Sequence, residues 1–162
     1  MNGKIKAGQG TLIGNAGEYY VVAELLKRGI IAALAPRNAP AFDILATKGE
    51  KTVRIRVKTK SEEYDVWQWS AKKDGTIFRE LSEQNDFSIL VNLTMNHREM
   101  FYIVIPTHLL NKWFIEEFKK WVETPGKGGR QRDPANPKRN LSYNKNKQIL
   151  QKYLNNWDIL WQ

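Results

Sequence analysis

The sequence predicts a single α/β domain with a mixed sheet of four to five strands and flanking helices. A strict alternation of apolar and basic residues over 53–60 indicates a strand with two different faces. Two nearly continuous apolar runs, over 85–93 and 99–106, are typical of a buried hairpin. Apolar residues at helical spacing over 14–28 and 108–122 predict two helices. A chain of 162 residues has the size of one domain with a full core.

The composition limits the partners and the kinds of site. No Cys occurs, which excludes disulfides, thiolate metal sites and a Cys nucleophile, and two His are too few for a His-rich metal site. The formal net charge of +9 favours a polyanionic partner, and we expect nucleic acid. No run of about 18 apolar residues occurs, and residues 1–6 lack the apolar core of a secretion signal. We therefore expect a cytoplasmic protein that makes no contact with membranes.

The basic residues of the alternating strand lie on one face. Arg54, Arg56, Lys58 and Lys60 recur at every second position, so neighbouring charges are about 6.6 Å apart along the strand. Four like charges in a row repel one another unless anions lie against them. These anions could be solvent ions, carboxylates of the protein or a phosphate backbone.

An acidic residue interrupts the apolar strand that precedes the basic one. Asp is depleted in strands, so Asp43 within the predicted strand 41–46 indicates a special role. Residues 48–51 form the expected turn between the two strands. Upstream, we expect Glu18 in the first turn of the helix predicted over 14–28. A carboxylate there has two interpretations, stabilisation by the helix dipole or a part in a functional site.

The order of a helix with Glu18, a strand with Asp43 and a strand with Lys58 resembles the core of the PD-(D/E)XK nuclease superfamily. This superfamily includes restriction endonucleases and archaeal Holliday-junction resolvases. The resemblance rests on Gly-x-x-Gly-Glu ending at Glu18, on Phe-Asp-Ile-Leu-Ala around Asp43, and on Arg-Val-Lys ending at Lys58. The segment from Phe87 onward is also similar to bacterial nuclease-like proteins. The resemblance implies a restriction-endonuclease-like core in which Asp43 and Glu18 hold Mg²⁺, or Mn²⁺, and Lys58 positions or activates the attacking water.

One position departs from the superfamily pattern. Two residues before the lysine, where the pattern has a carboxylate or sometimes Gln, this chain has Arg56. A guanidinium offers no oxygen ligand, and about 4 Å from a divalent cation it would repel that cation by several kcal/mol. Three alternatives remain: Arg56 turns towards a phosphate, the metal site is inactive, or a nearby carboxylate takes the ligand role. The candidates for such a relocated ligand are Glu50, Glu62, Glu63 and Asp65.

The resemblance implies a metal-dependent endonuclease that hydrolyses phosphodiester bonds in DNA. The alternative is a catalytically inactive nuclease-like module that binds nucleic acid, and a third is a scaffold whose basic face binds a protein. The oligomeric state stays open, with a homodimer among the alternatives. We expect phosphate contacts from the loop before the Asp43 strand, from the basic strand, and from a long basic loop over 124–139. The expected contact residues are Arg37, Arg54, Arg56, Lys60, Lys127, Arg130 and Arg132.

Further interpretations concern the aromatic residues and the helix ends. In the predicted strand 66–70, Trp67 and Trp69 share one face. For these two side chains, packing in the core is favoured over stacking on bases. The wide aromatic face of the helix over 108–122 is interpreted as core packing, and Thr107 as its N-cap. A final helix is expected over 144–157, followed by a terminal segment that packs back on the fold.

Overall fold

The computed structural model describes residues 10–36, 39, 41–82 and 84–162. The helices are α1 (Gly10–Lys27), α2 (Thr107–Glu123) and α3 (Tyr143–Leu150). The strands are β1 (Ile31–Leu34), β2 (Ile44–Lys48), β3 (Lys51–Ser61), β4 (Val66–Ser70), β5 (Asp86–Leu93), β6 (Phe101–Pro106) and β7 (Lys138–Ser142). Short 3₁₀ turns occur at Lys127–Gly129, Gln151–Tyr153 and Trp157–Trp161.

Five strands form a mixed sheet in the order β1-β2-β3-β5-β6, as the sequence predicts. Strands β3 and β5 are parallel, and the other neighbours are antiparallel. Strands β4 and β7 form a separate two-stranded antiparallel sheet. None of the helices in the described part of the chain has the length and apolar character that a membrane crossing needs.

Two hydrophobic cores lie on the two faces of the five-stranded sheet. On one face, the apolar side of β3, with Val53 and Ile55, packs against Val21 and Leu25 of α1. The terminal 3₁₀ turn completes this core with Trp157 and other buried side chains, so the end of the chain packs back as predicted.

The second core covers the face of the sheet that carries the basic residues of β3. Here Leu90 and Ile103 pack against Phe114 of α2 and against Trp67 and Leu141 of the two-stranded sheet. Trp67 is 1% exposed, which confirms that it is a core residue. The two-stranded sheet and α2 therefore form a layer over the basic face of β3.

Helix α1 approaches the sheet closely at a glycine. A Cβ atom on Gly17 would lie 1.8 Å from Oγ1 of Thr59 and 2.9 Å from its Cβ. Rotation of the Thr59 side chain does not relieve this contact, because its Cβ atom does not move with χ1 and already lies too close. Gly17, the second glycine of the Gly-x-x-Gly-Glu segment, thus allows the helix that carries Glu18 to pack closely on β3.

We expect Gly17→Ala to lower the free energy of unfolding by about 1–3 kcal/mol, because the added methyl group overpacks this contact. Gly14→Ala is the matched control, since nothing lies within 4 Å of a Cβ atom there. At Gly14, replacing glycine with alanine inside the helix should raise the free energy of unfolding by about 0.5–1 kcal/mol. Urea unfolding of both variants measures the difference, and equal stability of the two would contradict the close approach.

Three predicted helix ends are wrong. Helix α1 begins at Gly10, so Glu18 lies about two turns beyond the start, outside the first turn in which the helix dipole acts. The N-cap of α2 is Pro106, while Thr107 is the first helical residue and its hydroxyl is hydrogen-bonded to Ser88. Helix α3 ends at Leu150, short of the predicted span 144–157, because the chain continues in 3₁₀ turns.

Two predicted surfaces also differ from the structure. The basic loop expected over 124–139 ends where β7 begins at Lys138, since pairing with β4 orders the rest of the segment. The aromatic face of α2 is only partly core. Trp113, Phe118 and Trp121 are half-buried and line a groove of about 610 Å³ between α2 and β7.

Candidate active site

Asp43 lies immediately before β2, and its carboxylate takes the place of a backbone hydrogen-bond acceptor that the sheet lacks at this point. The β2–β3 pairing ends at Ile44 and Ile55. Beyond it, the backbone N–H of Val57 donates to Oδ2 of Asp43 at 2.7 Å. The side chain thus satisfies an amide that the end of β2 leaves without a strand partner, which explains an Asp at this point of an apolar run.

Asp43 and Lys58 lie near each other at the end of β2. Asp43 precedes the first residue of β2, and its carboxylate accepts the hydrogen bond of Val57, the neighbour of Lys58 in β3. Burial raises the pKa of the Asp43 carboxyl above its ordinary value, opposed by the Val57 hydrogen bond and the charges of Arg56 and Lys58. Burial lowers the pKa of Lys58, and the Asp43 carboxylate opposes that shift. The two groups therefore act on each other electrostatically.

Glu18 and Asp43 line the same cleft of about 220 Å³. Asn15, Glu18 and Tyr19 recur at the spacing that places side chains on one face of a helix, and all three contribute to one wall. Asp43, Phe42 and the described residues ahead of them, 34–36 and 39, contribute to the other. The cleft is thus lined by two acidic residues, an Asn and a Tyr.

Arg54 and Arg56 are held by Asp86, at the start of β5. Arg54 donates to both carboxylate oxygens, at 2.7 and 2.9 Å, and to the carbonyl of Glu80 at 2.8 Å. Arg56 lies 3.5 Å from Asp86 and donates to the carbonyl of Arg79 at 2.6 Å. The anion that faces this end of the basic row is therefore a carboxylate of the protein.

An aromatic ring lies beside each of the four alternating basic residues of β3. The distances from the charged group to the ring centroid are 6.0 Å for Arg54 over Phe42, 5.9 Å for Arg56 over Phe78, 5.6 Å for Lys58 over Trp69 and 5.0 Å for Lys60 over Trp67. Lys60 is also buried and donates to Oδ1 of Asn92. Trp69 and Trp67 of the two-stranded sheet thus cover Lys58 and Lys60, half of the row that the sequence suggests as a phosphate-binding face.

Sequence reasoning missed Asp86. Its side chain is fully buried and accepts hydrogen bonds from Arg54 and from the backbone N–H of Ser82. The only local signal is an acidic residue at the first position of an otherwise apolar strand. Its role depends on the parallel pairing that places Asp86 opposite Arg54.

The carboxylates considered as relocated ligands do not join Asp43. Glu50 lies in the β2–β3 turn, about 23 Å along β3 from Val57. Glu62 and Glu63 follow the opposite end of β3. Asp65 accepts hydrogen bonds from Ser142 and from the backbone N–H of Asn144 at 3.2 Å. Within the described residues, no three acidic or His side chains come together as a ligand cluster.

The basic residues outside β3 that are predicted to contact phosphate have different surroundings from one another. Lys127 and Arg130 are exposed. Arg132 donates to the carbonyl of Thr124 at 3.0 Å, and its guanidinium lies 4.7 Å from the ring centroid of Trp121. Arg37 lies outside the described residues.

The cleft fits a hard divalent cation held by two carboxylates. Mg²⁺ is commonly bound by one or two carboxylates, with water and substrate phosphate completing its shell, and Asp43 and Glu18 supply such a pair. Arg56, at the position of the usual third ligand, is directed to Asp86 and to the carbonyl of Arg79. Its charge is therefore partly balanced by Asp86.

Comparison with solved structures gives the fold. Over nearly its whole length the chain is similar to a bacterial homing endonuclease, I-Ssp6803I, with 16% identity, a TM-score of 0.54, and coverage of 94% of this chain and 92% of the other. The Holliday junction resolvase Hjc of Archaeoglobus fulgidus gives 19% identity, a TM-score of 0.39, and coverage of 59% and 74%. No protein-family model and no curated protein matches the sequence. The chain has the restriction-endonuclease-like fold that its sequence predicts.

Proposed function

We propose that this protein is an endonuclease that hydrolyses phosphodiester bonds in DNA, with a divalent cation bound by Asp43 and Glu18. The observation that carries the proposal is the cleft lined by both Asp43 and Glu18, with Lys58 next in sequence to the residue whose amide donates to Asp43. Similarity in fold to a homing endonuclease along nearly the whole chain supports it. The net charge of +9 supports a nucleic-acid substrate.

The residues of the cleft have distinct roles in this proposal. Asp43 and Glu18 bind Mg²⁺ or Mn²⁺, which when bound supplies an acidified water and stabilises negative charge on the phosphoryl oxygens. The ammonium of Lys58 donates hydrogen bonds to the attacking water or to the phosphate, and the nearby ring of Trp69 limits its motion. Arg54 and Arg56 hold β3 to β5 through Asp86, and we do not assign them to the phosphate backbone. Exposed Lys127 and Arg130 remain available for that backbone.

Nicking of supercoiled plasmid DNA tests the proposal. The wild-type protein is expected to convert supercoiled plasmid to the open circular form in millimolar Mg²⁺ or Mn²⁺, and EDTA is expected to stop the conversion. If neither cation gives nicking or calorimetric heat of binding, the endonuclease proposal is wrong.

A second candidate function is a nuclease-fold module that binds nucleic acid without cleaving it. Arg56 favours this candidate, because it stands where the superfamily pattern has a metal-binding carboxylate. Arg56→Glu, combined with Asp86→Asn to avoid two facing carboxylates, distinguishes the candidates. Nicking by the double variant and none by the wild type would favour the binding module. Nicking by the wild type favours the enzyme.

A further inference from the structure

The two-stranded sheet has one buried and one exposed face. Gln68 of β4 lies opposite Asn140 of β7, and Ser70 lies opposite Lys138. These four side chains are exposed and share the outer face, because alternate residues of each strand, such as Trp67, point into the second core. We call β4 and β7 together the ribbon, and these four residues its outer face.

The outer face consists of groups that pair with the edges of DNA bases. Amide side chains such as those of Gln68 and Asn140 form paired hydrogen bonds with adenine, Lys pairs with guanine, and Ser pairs with several bases. The Gln68 amide nitrogen donates to Oδ1 of Asn140 at 2.9 Å, so the two amides are already ordered side by side. Each still has donors and an acceptor lone pair left for a further partner.

The dimensions of the ribbon match the major groove of B-form DNA. Two paired strands lie about 4.8 Å apart, and five residues extend about 17 Å. The major groove is about 12 Å wide and admits a two-stranded ribbon, and there each base pair presents a distinct pattern of donors and acceptors. The deep and narrow major groove of duplex RNA does not admit side chains in this way.

The charge around the ribbon complements a polyanion. The segments 65–76 and 124–147, which contain the two strands and their flanks, carry nine Lys and Arg residues against three Asp residues. All three carboxylates accept hydrogen bonds from the ribbon or from turns beside it: Asp65 from Ser142, Asp74 from the backbone N–H of Thr76 and Asp133 from that of Ala135. Seven of the nine cations are exposed, so the segments that contain the ribbon carry a surplus of solvent-facing positive charge that suits phosphate groups.

The inner face of the ribbon lies against β3 beside Lys58, one of the residues assigned to the proposed active site. Trp69, between Gln68 and Ser70 in sequence, lies 5.6 Å from the ammonium of Lys58. We infer that the outer face of the ribbon enters the major groove of duplex DNA and reads the target sequence through Gln68, Ser70, Lys138 and Asn140. The inference rests on the proposed function, because it adds sequence preference to the same substrate.

Selection of binding sites from a pool of random DNA duplexes, in EDTA so that nothing is cleaved, tests the inference. Wild-type protein is expected to enrich a shared sequence. Gln68→Ala and Asn140→Ala are each expected to lose preference at one or two base pairs, by roughly 5- to 150-fold in relative affinity. Binding to unrelated duplexes and its salt dependence should stay unchanged, because neither residue is charged. Gln84→Ala is the matched control, an exposed amide outside the ribbon, and it should keep the wild-type preference.

The outcomes separate this inference from the proposed function. Absence of salt-dependent DNA binding would overturn both. Binding without a shared sequence, or the wild-type preference in both ribbon variants, would overturn the ribbon inference alone. Duplex RNA of the selected sequence is expected to bind without that preference, and equal preference on RNA would also overturn the inference.

Discussion

Replacing Asp43 with Asn is expected to lower the rate of plasmid nicking by roughly 10³-fold. Stabilisation of phosphoryl charge by a bound cation is worth several kcal/mol, and each 1.36 kcal/mol changes a rate tenfold. Asn keeps an acceptor oxygen for the Val57 amide, so the substitution removes the charge while preserving the hydrogen bond at the end of β2. Ala would leave that amide unpaired and lower stability as well.

The control for this variant is Asp158→Asn, at an exposed acidic residue in the terminal 3₁₀ turn. It should nick DNA at the wild-type rate. Both variants should bind DNA in EDTA as the wild type does, because Asp43 contributes no positive charge to phosphate binding. Equal nicking by Asp43→Asn and the wild type would show that Asp43 does not hold a catalytic cation.

Replacing Asp86 with Ala is expected to lower the free energy of unfolding by about 3 kcal/mol. Removing one partner of a buried ion pair costs about 3–5 kcal/mol, because the remaining charge loses its compensation. The lower end applies here, since the side chain of Arg54 is 27% exposed and can regain water, whereas that of Arg56 is 12% exposed. The backbone N–H of Ser82 also loses its acceptor.

Urea unfolding measures this effect. Asp86→Asn should lie between the wild type and Asp86→Ala, since Asn still accepts from the Ser82 amide but carries no charge. Asp158→Ala, at an exposed site, should change the free energy of unfolding by less than about 0.5 kcal/mol. If Asp86→Ala unfolds at the wild-type midpoint, Asp86 does not organise the basic residues of β3.

Local patterns in the sequence are sufficient to predict the central elements of the fold. Alternation identifies β3, the apolar runs identify β5 and β6, and the apolar spacing of α1 predicts a helix. Asp43 is noticed because its residue type is unusual in an apolar run. Its structural task, accepting the Val57 amide, requires knowledge of where the β2–β3 pairing ends.

The surroundings of the basic row depend on contacts between distant parts of the chain. Asp86 faces Arg54 across a parallel pairing, and the two residues are 32 positions apart. The ribbon joins Gln68 to Asn140, which are 72 positions apart, and so places Trp69 beside Lys58. No local period or composition encodes these pairings. From the sequence alone, the row of four cations therefore suggests an open phosphate-binding face, whereas the second core covers that face in the structure.

Crystals of the protein soaked in millimolar Mn²⁺ test most directly whether Asp43 and Glu18 hold a cation together. We expect an anomalous density peak in the cleft within coordination distance of carboxylate oxygens from both residues. The same soak of Asp43→Asn crystals should show a weaker peak or none. A cleft without a peak in the wild-type protein, or a peak bound only by residues outside the cleft, would contradict a metal site at Asp43 and Glu18.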